Sequence, residues 1–201
     1  MKSFKNLEWK RKGFHVLGGL VLTFFVWNGT VTPLVATLLI VIAFLIAYQY
    51  RTNKRDVHPF LNTLFELFAR EEEKRGKLPA LSLLSTLVAT LFLVVFAPRD
   101  IAVAALLVLF VGDPASYLVG ATVGRVRLPW NEKKHLEGVL AGTVVATLAI
   151  LWLVPFWHAL LAAFAAMLLE SVPLRVGPEK VDDNFLIPIV AAAALTGFAL
   201  V

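Results

Sequence analysis

The 201-residue sequence contains no cysteine, so it has no disulfide, no zinc-thiolate site and no thiol nucleophile. It is also poor in charge. Only 16% of its residues are Asp, Glu, Lys or Arg, against about 25% in ordinary soluble domains. Apolar residues make up 59% even before the 12 Gly are counted, where soluble domains reach about 45–50% with Gly included. That composition excludes an ordinary water-soluble fold, and it excludes disorder, which needs low hydrophobicity. The net charge of +5 does not read as a nucleic-acid surface, because the bases sit in short clusters between apolar stretches. An anionic membrane surface or a phosphorylated substrate accounts for them better.

A helix needs about 17–25 mostly apolar residues to cross the hydrocarbon layer, and seven stretches of that kind occur, near 13–27, 33–50, 79–97, 101–124, 138–157, 158–174 and 184–201. The fold class expected is therefore an all-α integral membrane protein of about seven transmembrane helices, one polytopic domain over 1–201. The first apolar run has a basic flank, but no small-x-small cleavage site follows it, so it reads as a span and not a signal peptide. The connection near 51–78 differs in kind. Phe60, Leu61, Leu64, Phe65 and Phe68 share one helical face ahead of Arg70-Glu71-Glu72-Glu73-Lys74-Arg75, which predicts an interfacial amphipathic helix on the cytoplasmic side.

Orientation follows from the Lys and Arg in the connections, since short basic loops stay cytoplasmic. The N-terminal tail holds five, 51–78 seven, the connection after Gly124 four and 171–183 two, which leaves Arg99 as the last of the 19. The N-terminus is expected inside and the C-terminus outside. Of the 14 acidic residues, only Asp100 falls in a far-side connection. Polar chemistry is thus gathered at one membrane face. A transporter or channel needs polar groups through the full depth, whereas a one-sided site suits an enzyme working at the cytoplasmic leaflet.

Four constellations carry that chemistry. Glu8, Arg11, Lys12 and His15 share a helical face at spacings of three and four, and an imidazole one turn inside the apolar layer is more than a topology signal. Gly112-Asp113-Pro114 interrupts the fourth span; Asp as N-cap and Pro as first helical residue predict a broken helix. Gly112, Ser116, Gly120 and Gly124 then recur every four residues as a stripe open to close backbone approach, and Gly138 with Gly142 repeats the spacing after Lys133-Lys134-His135-Leu136-Glu137. Glu170 sits in an apolar run, and Asp182-Asp183-Asn184 opens the last span, where adjacent acids are commonly caps. Converging carboxylates could alternatively hold a hard cation such as magnesium, which shares its coordination with phosphates.

These motifs, in this order, resemble the membrane-bound CTP-dependent lipid-alcohol kinases: dolichol kinase, phytol kinase and the CTP-using diacylglycerol kinase. Arg11-Lys12 with His15 resembles the family's Arg-Lys-x-x-His; Gly112-Asp113-Pro114-Ala115 with Gly120 resembles Gly-Asp-x-x-Ala-x-x-x-Gly. Lys134-His135-Leu136-Glu137-Gly138 resembles Lys-Ser-x-Glu-Gly, with His135 in place of the hydroxyl residue, and Asp182-Asp183-Asn184-Phe185-Leu186-Ile187-Pro188 resembles Asp-Asp-Asn-x-x-Ile-Pro.

The resemblance implies transfer of the γ-phosphate of CTP to a long isoprenoid alcohol, with release of CDP. It implies Asp113, Lys134, Glu137 and His15 as catalytic residues, with Asp113 and Glu137 both open as proton acceptor. Arg11, Lys12, Lys134, Gly112, Gly138 and Asn184 are implied for the nucleotide, and Asp113, Glu170, Asp182 and Asp183 for Mg2+. The partners expected are the bilayer, the lipid alcohol and the cytidine nucleotide, with no nucleic acid and a homodimer left open. The location expected is a prokaryotic plasma membrane or the endoplasmic reticulum. The rival readings are a diacylglycerol kinase, a lipid-phosphate cytidylyltransferase, whose Pro-Gly-His-Gly-Gly closing signature is missing here, and a small transporter.

Overall fold

A computed structural model describes residues 2–52, 80–177 and 179–199. The amphipathic segment expected near 51–78 and the side chain of Glu8 lie outside the described residues. Seven helices account for most of what is described. They are α1 (Lys2–Trp27), α2 (Pro33–Thr52), α3 (Leu81–Phe96), α4 (Arg99–Val123), α5 (Leu136–Ile150), α6 (Phe156–Ser171) and α7 (Asp183–Ala199). Two short antiparallel hairpins correct the all-α expectation: β1 (Arg127–Leu128) with β2 (Asn131–His135), and β3 (Arg175–Val176) with β4 (Glu179–Lys180). Both occupy polar connections, where the backbone can pair only locally.

Among the described residues, α2 and α4 are long and apolar enough to cross a membrane, at 20 and 25 residues; α3, α5, α6 and α7 are apolar but shorter. Helix α4 is the centre of the bundle. It packs against α1 on one side and α5 on another, α7 lies along α4, α3 and α6, and α2 leans on α3.

Small side chains make up much of the core, beside larger ones such as Leu93, Leu106, Phe110 and Met167. Ala102, Ala104, Ala105, Ala146, Ala159, Ala162, Ala163, Ala166 and Ala191 are all buried, while Leu17, Phe24, Leu34, Val144, Leu148 and Trp157 face outward. Small residues let helix backbones approach closely. The facing stripes do so literally. A Cβ on Gly138 would lie 2.6 Å from the Ser116 carbonyl oxygen, and one on Gly142 would lie 2.8 Å from the Ser116 Cβ.

Buried and outward-facing threonines alike bond their own helix. Nine of them, including Thr23, Thr37, Thr90, Thr143 and Thr147, donate the hydroxyl to the carbonyl four residues back. Such back-bonding satisfies a hydroxyl without water.

The two ends of the bundle differ. A Cβ on Gly29, which has φ +78°, would meet the Arg99 guanidinium, and the Trp27 ring stands edge-on to Trp152 at 4.9 Å. The connections after α1, α3 and α5 therefore gather at one end, with Arg99 and Asp100 as their charges. The hairpins and the remaining described charges fall at the other.

Candidate functional site

Proline at 114 has no N–H for the carbonyl four residues back. Instead of breaking, α4 widens into a π segment over Val108–Gly112 and continues as a regular helix from Asp113. Such segments absorb a missing helical bond and are common at functional positions. This corrects the expected N-cap. Asp113 has helical backbone angles of −60° and −46°, its N–H bonds the Leu109 carbonyl, and its side chain caps nothing. The buried carboxylate is therefore left for another partner.

That partner comes from α1. Lys12 Nζ donates to Asp113 Oδ2 at 2.5 Å and stands 5.2 Å from the Tyr117 ring centre. One turn further on, His15 lies edge-on to Phe110 of the π segment at 5.1 Å, within electrostatic reach of Asp113. Gly19 completes the seam, because any Cβ there would overlap the Phe110 ring. Arg11 is partly buried beside Lys12. The sequence spacing of Lys12 and His15 thus places both against Asp113.

Lys134 arrives by a different route. Pro129 and Trp130 make the two-residue turn of the first hairpin, and the register slips between the pairs Leu128–Asn131 and Arg127–His135. Lys134 lies in that irregular stretch, on a strand that ends where α5 begins at Leu136, so it is not on the helix that carries Glu137 and Gly138. The ammonium donates to Glu170 Oε1 near the end of α6. Burial alone would lower the pKa of Lys134, but Glu170, Asp113 and Asp183 outweigh it, and the net shift is upward from 10.5. Lys133 is exposed.

The remaining predicted residues divide. Glu137 accepts from the backbone N–H groups of Arg125 at 3.0 Å and Val126 at 3.1 Å, so its carboxylate secures the loop after α4. Asp182 Oδ1 accepts from the N–H and the amide of Asn184 at 3.0 and 2.9 Å, the capping role foreseen for an acid ahead of α7. Asn184 is buried and also donates to Ser82 Oγ, tying α7 to α3. Asp183 pairs with Lys180 at 3.0 Å. Gly112 and Gly138 stand in the tight crossing of α4 with α5 and α6, so packing accounts for both.

No family model, curated protein or solved structure matches this chain.

The donors suit a hard divalent cation. Glu170 is fully buried, and its Oε2 has no hydrogen-bond partner among the described residues while Oε1 holds Lys134. Asp113 and Asp183 lie within electrostatic reach of the same lysine. Among the described residues, no three His, Cys, Asp or Glu groups are arranged to hold a metal unaided. Magnesium is normally bound by one or two carboxylates together with substrate phosphates, and Glu170 Oε2 is a buried carboxylate oxygen of that kind.

Three residues escaped the sequence reading. Trp130 Nε1 donates to Ser171 Oγ at 3.0 Å, and Asn131 Nδ2 donates to the Ser171 carbonyl at 2.9 Å. The available signal was Pro129-Trp130 between two polar runs, a turn with Pro at its second position.

Proposed function

We propose that this chain is an integral membrane phosphotransferase that moves the γ-phosphate of CTP, or of another nucleoside triphosphate, to a long-chain isoprenoid alcohol at the cytoplasmic face, giving polyprenyl phosphate and CDP. The observation that carries this reading is the meeting of two lysine–carboxylate pairs, Lys12–Asp113 and Lys134–Glu170, from four separate elements at one end of an apolar bundle. Charges in such surroundings are expensive and mark function. The residue order that resembles the CTP-dependent lipid-alcohol kinases supports the same class.

The seven helices are read as seven spans with the N-terminus cytoplasmic. Outward Leu, Phe and Trp over an alanine-rich core, self-bonded threonines and the charge gathered at one end support that reading.

Phosphoryl transfer needs mainly positioning and neutralisation of the phosphate oxygens. Lys12 and Lys134 supply cations to those oxygens, with Arg11 beside Lys12. Asp113 is the better acceptor for the alcohol proton, since the Glu137 carboxylate is spent on backbone N–H groups. The alcohol oxygen forms its bond to the γ-phosphorus as the bond to the β-phosphate oxygen breaks, and the electron pair leaves with CDP. Magnesium, held through Glu170 Oε2 and the substrate phosphates, would supply charge neutralisation of those phosphates and leave Asp113 for the proton.

Purified protein and magnesium, with polyprenol or diacylglycerol and each of CTP, ATP, GTP and UTP labelled at the γ-phosphate, test the reading, with phosphatidic acid and α-labelled CTP as a parallel arm. Label entering the lipid is expected, most with CTP. Transfer to diacylglycerol in place of polyprenol would assign the other kinase class, and α-label in the lipid with release of pyrophosphate would assign a cytidylyltransferase. Absence of transfer from every nucleotide to either lipid overturns the proposal.

A further inference from the structure

Lys134 is asked to meet a phosphate at a fixed place, yet the segment that carries it is poorly fixed by its own backbone. A two-stranded hairpin is marginal in isolation, and this one has a register slip next to the lysine. A lysine side chain also carries about 2 kcal/mol of rotamer entropy. Something outside the hairpin must hold it.

The last two residues of α6 do so. Glu170 takes the Lys134 ammonium, and Ser171, fully buried, takes two further bonds from the same hairpin. The Ser171 hydroxyl has a single proton, which goes to the Leu168 carbonyl at 2.6 Å, so its lone pairs face the Trp130 N–H. The Ser171 carbonyl lies at the helix end, where no helical N–H remains to meet it, and it takes the Asn131 amide. Residues 130, 131 and 134 are thereby fastened to residues 170 and 171.

We propose that Ser171 is the positioning residue for Lys134: through Trp130 and Asn131 it latches the β1–β2 hairpin to the end of α6, so that the lysine is presented to the nucleotide phosphates in a preset geometry. The inference rests on the phosphotransferase reading for its kinetic consequence and on geometry alone for the latch itself.

Trp130→Phe and Ser171→Ala each delete the same bond by removing its donor or its acceptor. Trp130 is 46% exposed, so its substitution leaves the core intact. Each variant is expected to raise the KM for CTP about tenfold, with the KM for the alcohol unchanged, and the double variant is expected to match the singles. In a Lys134→Ala background Trp130→Phe should change nothing further, because the latch acts through that lysine. A latch with a merely structural role would affect both substrates and would keep its effect in the Lys134→Ala background, and either result overturns the proposal.

Hydrogen exchange over residues 127–135, measured on the intact protein and both variants in detergent, provides a readout free of catalysis. Faster exchange in both variants is expected. Unchanged exchange overturns the latch even if wild-type protein transfers phosphate, whereas faster exchange in both variants, with a wild type that transfers nothing, overturns the phosphotransferase reading and leaves the latch standing.

Discussion

Asp113 and Lys134 each reach the site already bonded to a group of opposite charge, which sets what their removal does. Asp113→Asn keeps the size of the side chain and removes its charge. The variant is expected to insert and fold, to lose phosphoryl transfer, and to bind CTP in the presence of EDTA about tenfold more tightly, because the Lys12 ammonium no longer faces a carboxylate. Titration of both proteins with CTP in EDTA checks this, and equal affinities would mean that Lys12 does not serve the nucleotide. Lys134→Ala should lower kcat/KM by roughly 10²–10³, the loss of one preorganised charge-stabilising donor, and Lys133→Ala far less. Asp113 was legible in the sequence because a carboxylate in an apolar run demands a partner. Its supposed capping role was not, since the π segment that keeps α4 continuous has no sequence signature beyond the proline. Lys134 was singled out through the resemblance; the structure separates it from the exposed Lys133 by its reach to Glu170 from an irregular strand.

At the scale of elements, α4 and α5 cross closely where Gly112, Ser116 and Gly120 face Gly138, Gly142 and Ala146, and the tolerance of each glycine follows from what stands opposite. Gly138→Ala would force a Cβ against the Ser116 carbonyl and Gly120 Cα, both backbone atoms. Overpacking of this kind costs about 1–3 kcal/mol. Gly13→Ala, with nothing within 4 Å on the outer face of α1, should be neutral or stabilising through helix propensity. Thermal unfolding of the two variants in the same detergent checks the contrast. The β1–β2 hairpin carries a pH signature of its own. The folded-state pKa of Lys134 is raised above 10.5, so its contribution to docking is fully present below about that pH and is lost as pH rises through the folded value. The protection of residues 127–135 relative to intrinsic base-catalysed exchange should therefore hold across neutral and mildly alkaline pH and fall beyond it, a step that Lys134→Ala lacks. The small-residue stripes were visible in the sequence as a spacing of four, but not the fact that they face each other. The strands of the hairpins were not visible, because runs of two to five residues are too short to show an alternating pattern, and only the Pro129-Trp130 turn left a signal.

For the molecule as a whole, the distribution of chemistry between outside, core and ends is the inverse of a soluble domain's. Large apolar side chains face out, alanines and back-bonded threonines fill the interior, and apart from Arg99 and Asp100 the described charges lie at the hairpin end. Helix existence and approximate extent were legible throughout, since an apolar run bounded by charge or proline has few other ways to satisfy its backbone. The number of crossings is a separate matter, because α3, α5, α6 and α7 run only 15–17 residues and, on the seven-span reading, each would span by virtue of its neighbours and flanks. The absence of native cysteine makes this testable without background. Thr30 is exposed in the turn between α1 and α2, and Val176 is 76% exposed in the second hairpin. These positions lie at opposite ends of the bundle and, on the seven-span reading, on opposite sides of the membrane. Thr30→Cys and Val176→Cys, expressed singly and treated in sealed cells with a membrane-impermeant maleimide, should react differently. Thr30→Cys should label at once, and Val176→Cys only after the membrane is permeabilised. Labelling of both from outside would place the hairpin end, with Lys12, Asp113, Lys134 and Glu170, in reach of extracellular solvent, where no nucleoside triphosphate is maintained, and would remove the cytoplasmic phosphotransferase from consideration.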